Sequence, residues 1–211
     1  MRRPRERRTI LPLLLALTLP ALAATDPSRT ADDAAAKTPP IELHVGIRDL
    51  VYLGQSLADL LKRFPGAKIV PFSGQDDAAS VRIAEEGISC LAVGKPGELK
   101  IASIGFNLDG VYEGMGETRY RTSKGIGKGS TVNDLLEAYG EPAEVLGEQP
   151  RGALRRKVPL DAPSVPKMYQ YKNEDGGVTT FFLVQDHIVR RVVVNDLEPL
   201  DRHVVKGRPK K

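Results

Sequence analysis

A single cysteine, three histidines and no apolar run of membrane-spanning length mark what this 211-residue chain does without. Each absence removes a class of protein. With Cys90 alone no internal disulfide can form, so stability has to come from packing. Flanked by Ile88, Ser89, Leu91 and Ala92, that thiol reads as an inert strand residue and not as a nucleophile or redox sensor. His44, His187 and His203 lie at no metal-ligand spacing from one another or from Cys90, so neither a metal site nor a cofactor is expected. Ser130, His187 and an aspartate could be drawn together as a triad, yet no nucleophile-elbow sequence surrounds the serine. The acidic pairs Asp76-Asp77 and Glu85-Glu86 read as solvated carboxylates in loop or edge positions.

Arg2, Arg3, Arg5, Arg7 and Arg8 precede an apolar stretch from Ile10 to Leu19 and an Ala21-Leu22-Ala23 cleavage pattern. Residues 1–23 therefore read as a signal peptide cut after Ala23, and the stretch is too short to span a bilayer. No cysteine follows it to carry a lipid anchor. A periplasmic or secreted protein is expected. The leader holds five of the 31 basic residues and one of the 27 acidic ones, so the rest of the chain has 26 of each sign. The basic isoelectric point is thus a property of the leader and no sign of nucleic-acid binding. A local excess remains at Arg202, Lys206, Arg208, Lys210 and Lys211, and residues 197–211 read as a solvated basic tail.

Residues 24–40 mix small, charged and proline residues without apolar periodicity and predict a disordered spacer. Beyond it the chain states one pattern twice. Gly54-Gln55-Ser56-Leu57-Ala58-Asp59-Leu60-Leu61-Lys62-Arg63-Phe64 returns 75 positions later as Gly129-Ser130-Thr131-Val132-Asn133-Asp134-Leu135-Leu136-Glu137-Ala138-Tyr139. Ser56 with Asp59, and Thr131 with Asp134, have capping-box spacing, and leucines and an aromatic at i, i+3, i+4 and i+7 give each helix one buried stripe. Gly87, Ile88, Leu91 and Val93 match Gly177, Val178, Phe181 and Leu183 at an offset of 90, and Leu99 and Ile104 match Ile188 and Val193 at 89. Gly94-Lys95-Pro96-Gly97 and Gln185-Asp186-His187 are the expected hairpin turns, and residues 118–124 a strand leading into the second copy. The reading is one repeat over 41–117 and a second over 118–196 with an insertion at 147–166. Together they predict a two-layer α/β (α+β) protein whose tandem helix-plus-meander units share one continuous antiparallel sheet, helices on one face and the other partly open.

The second helix start and its exit, Gly129 to Pro142, fit the pattern G-[ST]-x-x-[DE]-[LV]-[LIV]-x-x-[FYL]-G-x-P, which the first copy follows loosely with Phe64-Pro65-Gly66. In this the chain resembles the β-lactamase-inhibitor-protein-like tandem repeat (BLIP-like), related to the SmpA/OmlA (BamE-like) superfamily. The resemblance spans most of residues 41–196. It implies a non-enzymatic protein that either grips an enzyme with its open sheet face or scaffolds outer-membrane assembly. The chain departs from the first group in lacking intradomain disulfides and from the second in lacking the lipidated cysteine, so neither specific activity carries over.

Gly125-Ile126-Gly127-Lys128-Gly129-Ser130-Thr131 looks like a phosphate loop, but a P-loop lysine stands directly before Ser or Thr, whereas Gly129 follows Lys128. The segment reads as a glycine-rich lead into a capped helix. With Phe181 and Leu183 taken to face the helix, alternation turns Thr180 and Phe182 to the open face; Tyr169 and Tyr171 share one side of their strand, and Arg190-Arg191 interrupts an apolar one. These six residues are the expected contacts with another exported or envelope protein, because aromatics and arginines anchor interfaces. The competing reading places Phe182 and the tyrosines in a second core layer. A non-catalytic module that binds another protein through the open sheet face and the 147–166 loop is therefore the expectation. An envelope structural or assembly factor is the alternative, and a divergent periplasmic hydrolase, which would show a concave pocket with converging polar groups, the second. The oligomeric state is left open.

Overall fold

A computed structural model describes residues 38–72, 75–109, 114–147, 156–157 and 166–200. The leader, most of the spacer and of the 147–166 insertion, and all but the first residues of the tail lie outside the described residues. In chain order the elements are β1 (Gly46–Ile47), β2 (Val51–Tyr52), α1 (Leu57–Arg63), β3 (Lys68–Phe72), β4 (Gln75–Ile83), a 3₁₀ turn (Ala84–Glu86), β5 (Ile88–Val93), β6 (Lys100–Asn107), α2 (Val132–Tyr139), β7 (Glu144–Gly147), β8 (Arg156–Lys157), β9 (Lys167–Lys172), β10 (Val178–Gln185) and β11 (Ile188–Asp196). Strands β3 to β11 make one antiparallel sheet in the order β3-β4-β5-β6-β11-β10-β9-β7-β8. The fold is α+β.

Both helices begin where the sequence predicts. Ser56 caps α1 by accepting the Asp59 amide, and Thr131 caps α2 in a full capping box in which Asp134 also accepts the Thr131 amide. Each start is stitched to the first residues of a late strand. The Leu57 amide donates to the Leu99 carbonyl and the Val132 amide to that of His187; the Ile101 amide donates to Gln55 and the Val189 amide to Ser130. Isolated bridges Ser56–Lys100 and Thr131–Ile188 stand at the same places. Strands β6 and β11, to which the helix starts are tied, pair with each other at the centre of the sheet.

These contacts change the expected offsets. Both hairpins carry a register shift, at Leu91/Ala92 and at Leu183/Val184. Aligning the shifts puts Leu91 with Leu183, two residues from the pairing that hydrophobicity suggests. A strand's side chains repeat every two residues, so a two-residue slip leaves the apolar pattern unchanged and invisible. The bridges likewise put Lys100 with Ile188 and Ile101 with Val189, one residue from the expected match. Ile101, Ile104 and Phe106 then align with Val189, Val192 and Val194, all six fully or almost fully buried. The turns also differ more than expected: β5 and β6 are separated by residues 94–99, β10 and β11 by Asp186 and His187 alone.

Residues 118–124 do not form a strand. Thr118, Tyr120 and Thr122 are buried in alternation, but the segment's one bridge is to Ile41, whose amide donates to the Arg121 carbonyl at 2.7 Å. Alternation came from lying against the core, and among the described residues no neighbouring strand completes a ladder. The main core cluster holds Leu60 and Leu135 of the helices, the inward side chains of β4 to β6 and β9 to β11, and Ile47 and Val51 of the β1–β2 ribbon; Ala78, Val93 and Ala102 make a small second one. That ribbon needs Gly46: its φ is 109°, and a Cβ there would lie 2.5 Å from the Val51 carbonyl and 2.8 Å from Ile104 Cδ1.

Candidate interaction face

Four of the six expected contact residues lie on the wrong side of the sheet for that role. Phe182 is fully buried, and its ring meets Tyr139 of α2 and Tyr171 of β9 at 5.6 Å, with Tyr139 and Tyr171 5.8 Å apart. The Tyr171 hydroxyl donates to the Gly140 carbonyl at 3.0 Å, satisfying an end carbonyl of α2. Burial, then Glu141 and the neighbouring tyrosines, pushes that phenol up to about 12. Tyr169 is buried as well, and burial raises its phenol. Thr180 accepts the His44 amide at 3.0 Å, and burial lowers the His44 imidazole. The helix-facing side is thus Thr180, Phe182 and Val184, not Phe181 and Leu183. The run Thr-Thr-Phe-Phe-Leu-Val is apolar on both faces, so its period could not say which side was in.

Alternation fixes what the opposite face presents. Across the central strands one row runs Arg82, Ser89, Gly105, Val193, Phe181 and the next Ser80, Leu91, Ser103, Asn195, Thr179. At the β10 end this face is closed, with Thr179, Phe181 and Gln170 all buried. Toward β4 it opens in part: Arg82 is exposed, and Ser80, Ser89, Leu91, Ser103, Val193 and Asn195 are half-buried. Ala78, Val93 and Ala102 are buried there in a small cluster on which Leu91 packs together with Leu200 of the helical residues 197–200, the start of the expected solvated tail. Arg191 crosses its middle. Its Nη2 donates to Ser89 Oγ at 2.6 Å, and the guanidinium fills the space above Gly105, where a Cβ would come within 2.2 Å of Nη2. Beside it Ser103 Oγ donates to Asn195 Oδ1 at 2.6 Å. Arg191 therefore lies on the outward face, held flat by a serine and admitted by a glycine.

Arg190 does something else. It is the residue that the β11 register shift leaves without a partner on β10, and its Nη1 pairs with Asp109 Oδ2 at 2.5 Å while Nη2 lies 3.9 Å from Asp186. That anchors a bulge to a loop and presents no free guanidinium. Arg82, Ser89, Ser103 and Asn195, which make the exposed half of the face, were missed by sequence reasoning. The signal was present in β4, where Val81 and Ile83 alternate with Ser80 and Arg82.

The remaining chemistry-bearing residues sit in structural settings. Burial pushes the Cys90 thiol up to about 12, which keeps it protonated. In the glycine-rich segment the Gly127 amide donates to Ser130 Oγ at 3.1 Å and Lys128 pairs with Glu117 at 2.5 Å. Glu86 pairs with Arg119 at 3.4 Å. Two grooves flank α1, one of about 410 Å³ between Arg63–Lys68 and Arg82–Glu86, the other of about 670 Å³ between Ser56–Leu61 and Gly97–Lys100. Among the described residues no group of three or more His, Cys, Asp or Glu is placed to hold a metal ion, and no helix is long and apolar enough to cross a membrane.

No family model matches this chain. No curated protein matches it either. Among solved structures it is similar to a DUF4309 family protein, YjgB, from Bacillus subtilis, at 16% identity and a TM-score of 0.42, over 72% of this chain and 88% of that one. Likeness at that level carries no argument about what either protein does.

Proposed function

We propose that this is an exported, non-catalytic protein-binding module that meets its partner with the exposed half of the sheet face opposite the helices. The observation that carries the reading is Arg191 laid across Gly105 toward Ser89, with Arg82, Leu91, Val193 and Asn195 around it. A guanidinium fixed in position among half-exposed aliphatic and small polar side chains loses little freedom on contact, which is the character of an interface anchor. The same reading takes the two halves as diverged copies of one unit, supported by the paired caps, bridges and register shifts. The leader sequence supports export.

The test is capture from cell-envelope and culture-supernatant extracts with the tagged protein as bait. We expect one specific partner whose capture is lost with Arg82→Glu together with Val193→Glu. It should be kept with Glu137→Lys, on the solvent side of α2. Loss in the control, or retention in the double variant, sinks the assignment of this face.

A further inference from the structure

Strand β3 ends the sheet, and three observations about it point the same way. Among the described residues it pairs with β4 alone. Of the large apolar side chains exposed among the described residues, two belong to it, Ile69 at 47% and Val70 at 46%. Ile69 lies across from the core residue Val81 and Val70 across from Ser80, so the two emerge on opposite faces of the same strand. An edge with apolar side chains on both faces is the form that most readily recruits another strand.

The backbone adds a limit. The Gly94 amide donates to the Asp77 carbonyl and the Asn107 amide to that of Gly87, which sets the direction of bonding in β4 and β5. By alternation Lys68 and Val70 bond to β4, while Ile69 turns its N–H and C=O outward and Pro71 turns out a carbonyl with no N–H. The free edge thus holds one donor in its middle. Proline at that place ends pairing after a few residues without stranding an amide.

Charge supplies the orientation. Exposed Arg63, Lys68 and Arg82 gather at one end of the β3–β4 hairpin, where they outnumber exposed Glu85 and a Glu86 already paired with Arg119, and exposed Asp76 stands at the other end. Antiparallel alignment with a second copy sets the basic end of each strand against the acidic end of the other. It also buries Ile69 and Val70 of both chains and gives each Ile69 amide a carbonyl from Ile69 or Pro71 of its mate.

We propose that β3 is a self-pairing edge through which two copies of this chain join antiparallel, extending the sheet across the pair. A two-fold contact consumes the edge it uses, so assembly stops at the dimer. Its small size and few hydrogen bonds set the affinity in the micromolar range. This inference rests on the edge strand and the binding face proposed above on the strands beyond it, with Arg82 the one residue they share.

Sedimentation velocity on the purified chain, full length and lacking residues 1–37, reads it directly. The sedimentation coefficient should rise from monomer to dimer between low micromolar and near-millimolar protein, in both forms. Val70→Lys should hold the protein monomeric over that range with its circular dichroism unchanged, because the side chain is already in solvent. Lys68→Glu and Asp76→Lys should each weaken the dimer about threefold, and the double variant should restore it. A monomer at every concentration overturns the proposal, as does self-association indifferent to Val70→Lys.

Discussion

Cys90 and Phe182 occupy corresponding places, each on the helix-facing side of a hairpin's first strand and each one residue ahead of the register shift. One is a small thiol among Val81 and Ile104, its neighbours on β4 and β6; the other is the centre of a three-ring cluster with Tyr139 and Tyr171. The halves therefore hold similar backbones by different means. The second concentrates its apolar mass under α2, and its Tyr171 reaches up to tie the helix end. The first sets Ile101, Ile104 and Phe106 where the second has Val189, Val192 and Val194, and leaves two large side chains, Ile69 and Val70, in solvent at its edge. Similar strand order does not require the apolar bulk to sit at the same positions.

Paired truncation is the strongest way to break that comparison. Phe182→Ala removes a fully buried ring with two aromatic contacts and should destabilise by about 3–5 kcal/mol, whereas Cys90→Ala should cost about 1 kcal/mol. Urea unfolding of both variants decides it, and equal losses would show the halves to be equally packed. The caps allow a finer contrast. Thr131 belongs to a reciprocal box, whereas Asp59 bonds the Ser56 hydroxyl and Lys62. Thr131→Ala should therefore cost more than Ser56→Ala, about 1–2 against 0.5–1 kcal/mol. Hydrogen bonds from Thr131 hold the Asp134 carboxyl below its ordinary range, and those from Ser56 and Lys62 do the same for Asp59. A depressed carboxylate contributes stability above its unfolded value, near pH 4, that is lost as pH falls through the folded one. Asp134→Asn should flatten that acid limb, and a limb unchanged in the variant would remove the box from the account.

Helix starts, the sheet's existence and the α+β class were legible because capping residues and i, i+3, i+4 spacing act over a few residues. What failed is equally specific. The direction of β10 could not be read because Phe181 and Phe182 are adjacent, and both are buried, one against the helix and one on the closed end of the other face. Tertiary neighbours decide such a strand. Thr180, Tyr169, Tyr171 and Phe182 were placed outward for that reason, and Arg190 because nothing local announces a bulge paired to Asp109 eighty-one residues away. Polarity alone could not separate Arg191, which lies across the outward face, from Arg190 beside it. The Ser89–Gly105–Arg191 arrangement could not be foreseen, because it joins three strands and depends on a glycine that the sequence gives no reason to notice.

The smallest effect separates the two turns. Between β10 and β11 only Asp186 and His187 intervene, with φ of 52° and 63°. Both central residues are left-handed, the pattern of a type I′ hairpin, which suits asparagine and glycine better than aspartate and histidine. The first half spreads the same reversal over residues 94–99 and needs no such strain at a side-chain-bearing residue. Replacing Asp186-His187 by Asn-Gly should then raise stability by about 0.5–1 kcal/mol. The His187 carbonyl still accepts the Val132 amide in the variant, so α2 keeps its tie to the strand. Thermal unfolding reads the change. A loss would mean that the His187 side chain and the Asp186 carboxylate beside Arg190 contribute more than the backbone strain removes, and the two turns would differ in contacts and not in conformation.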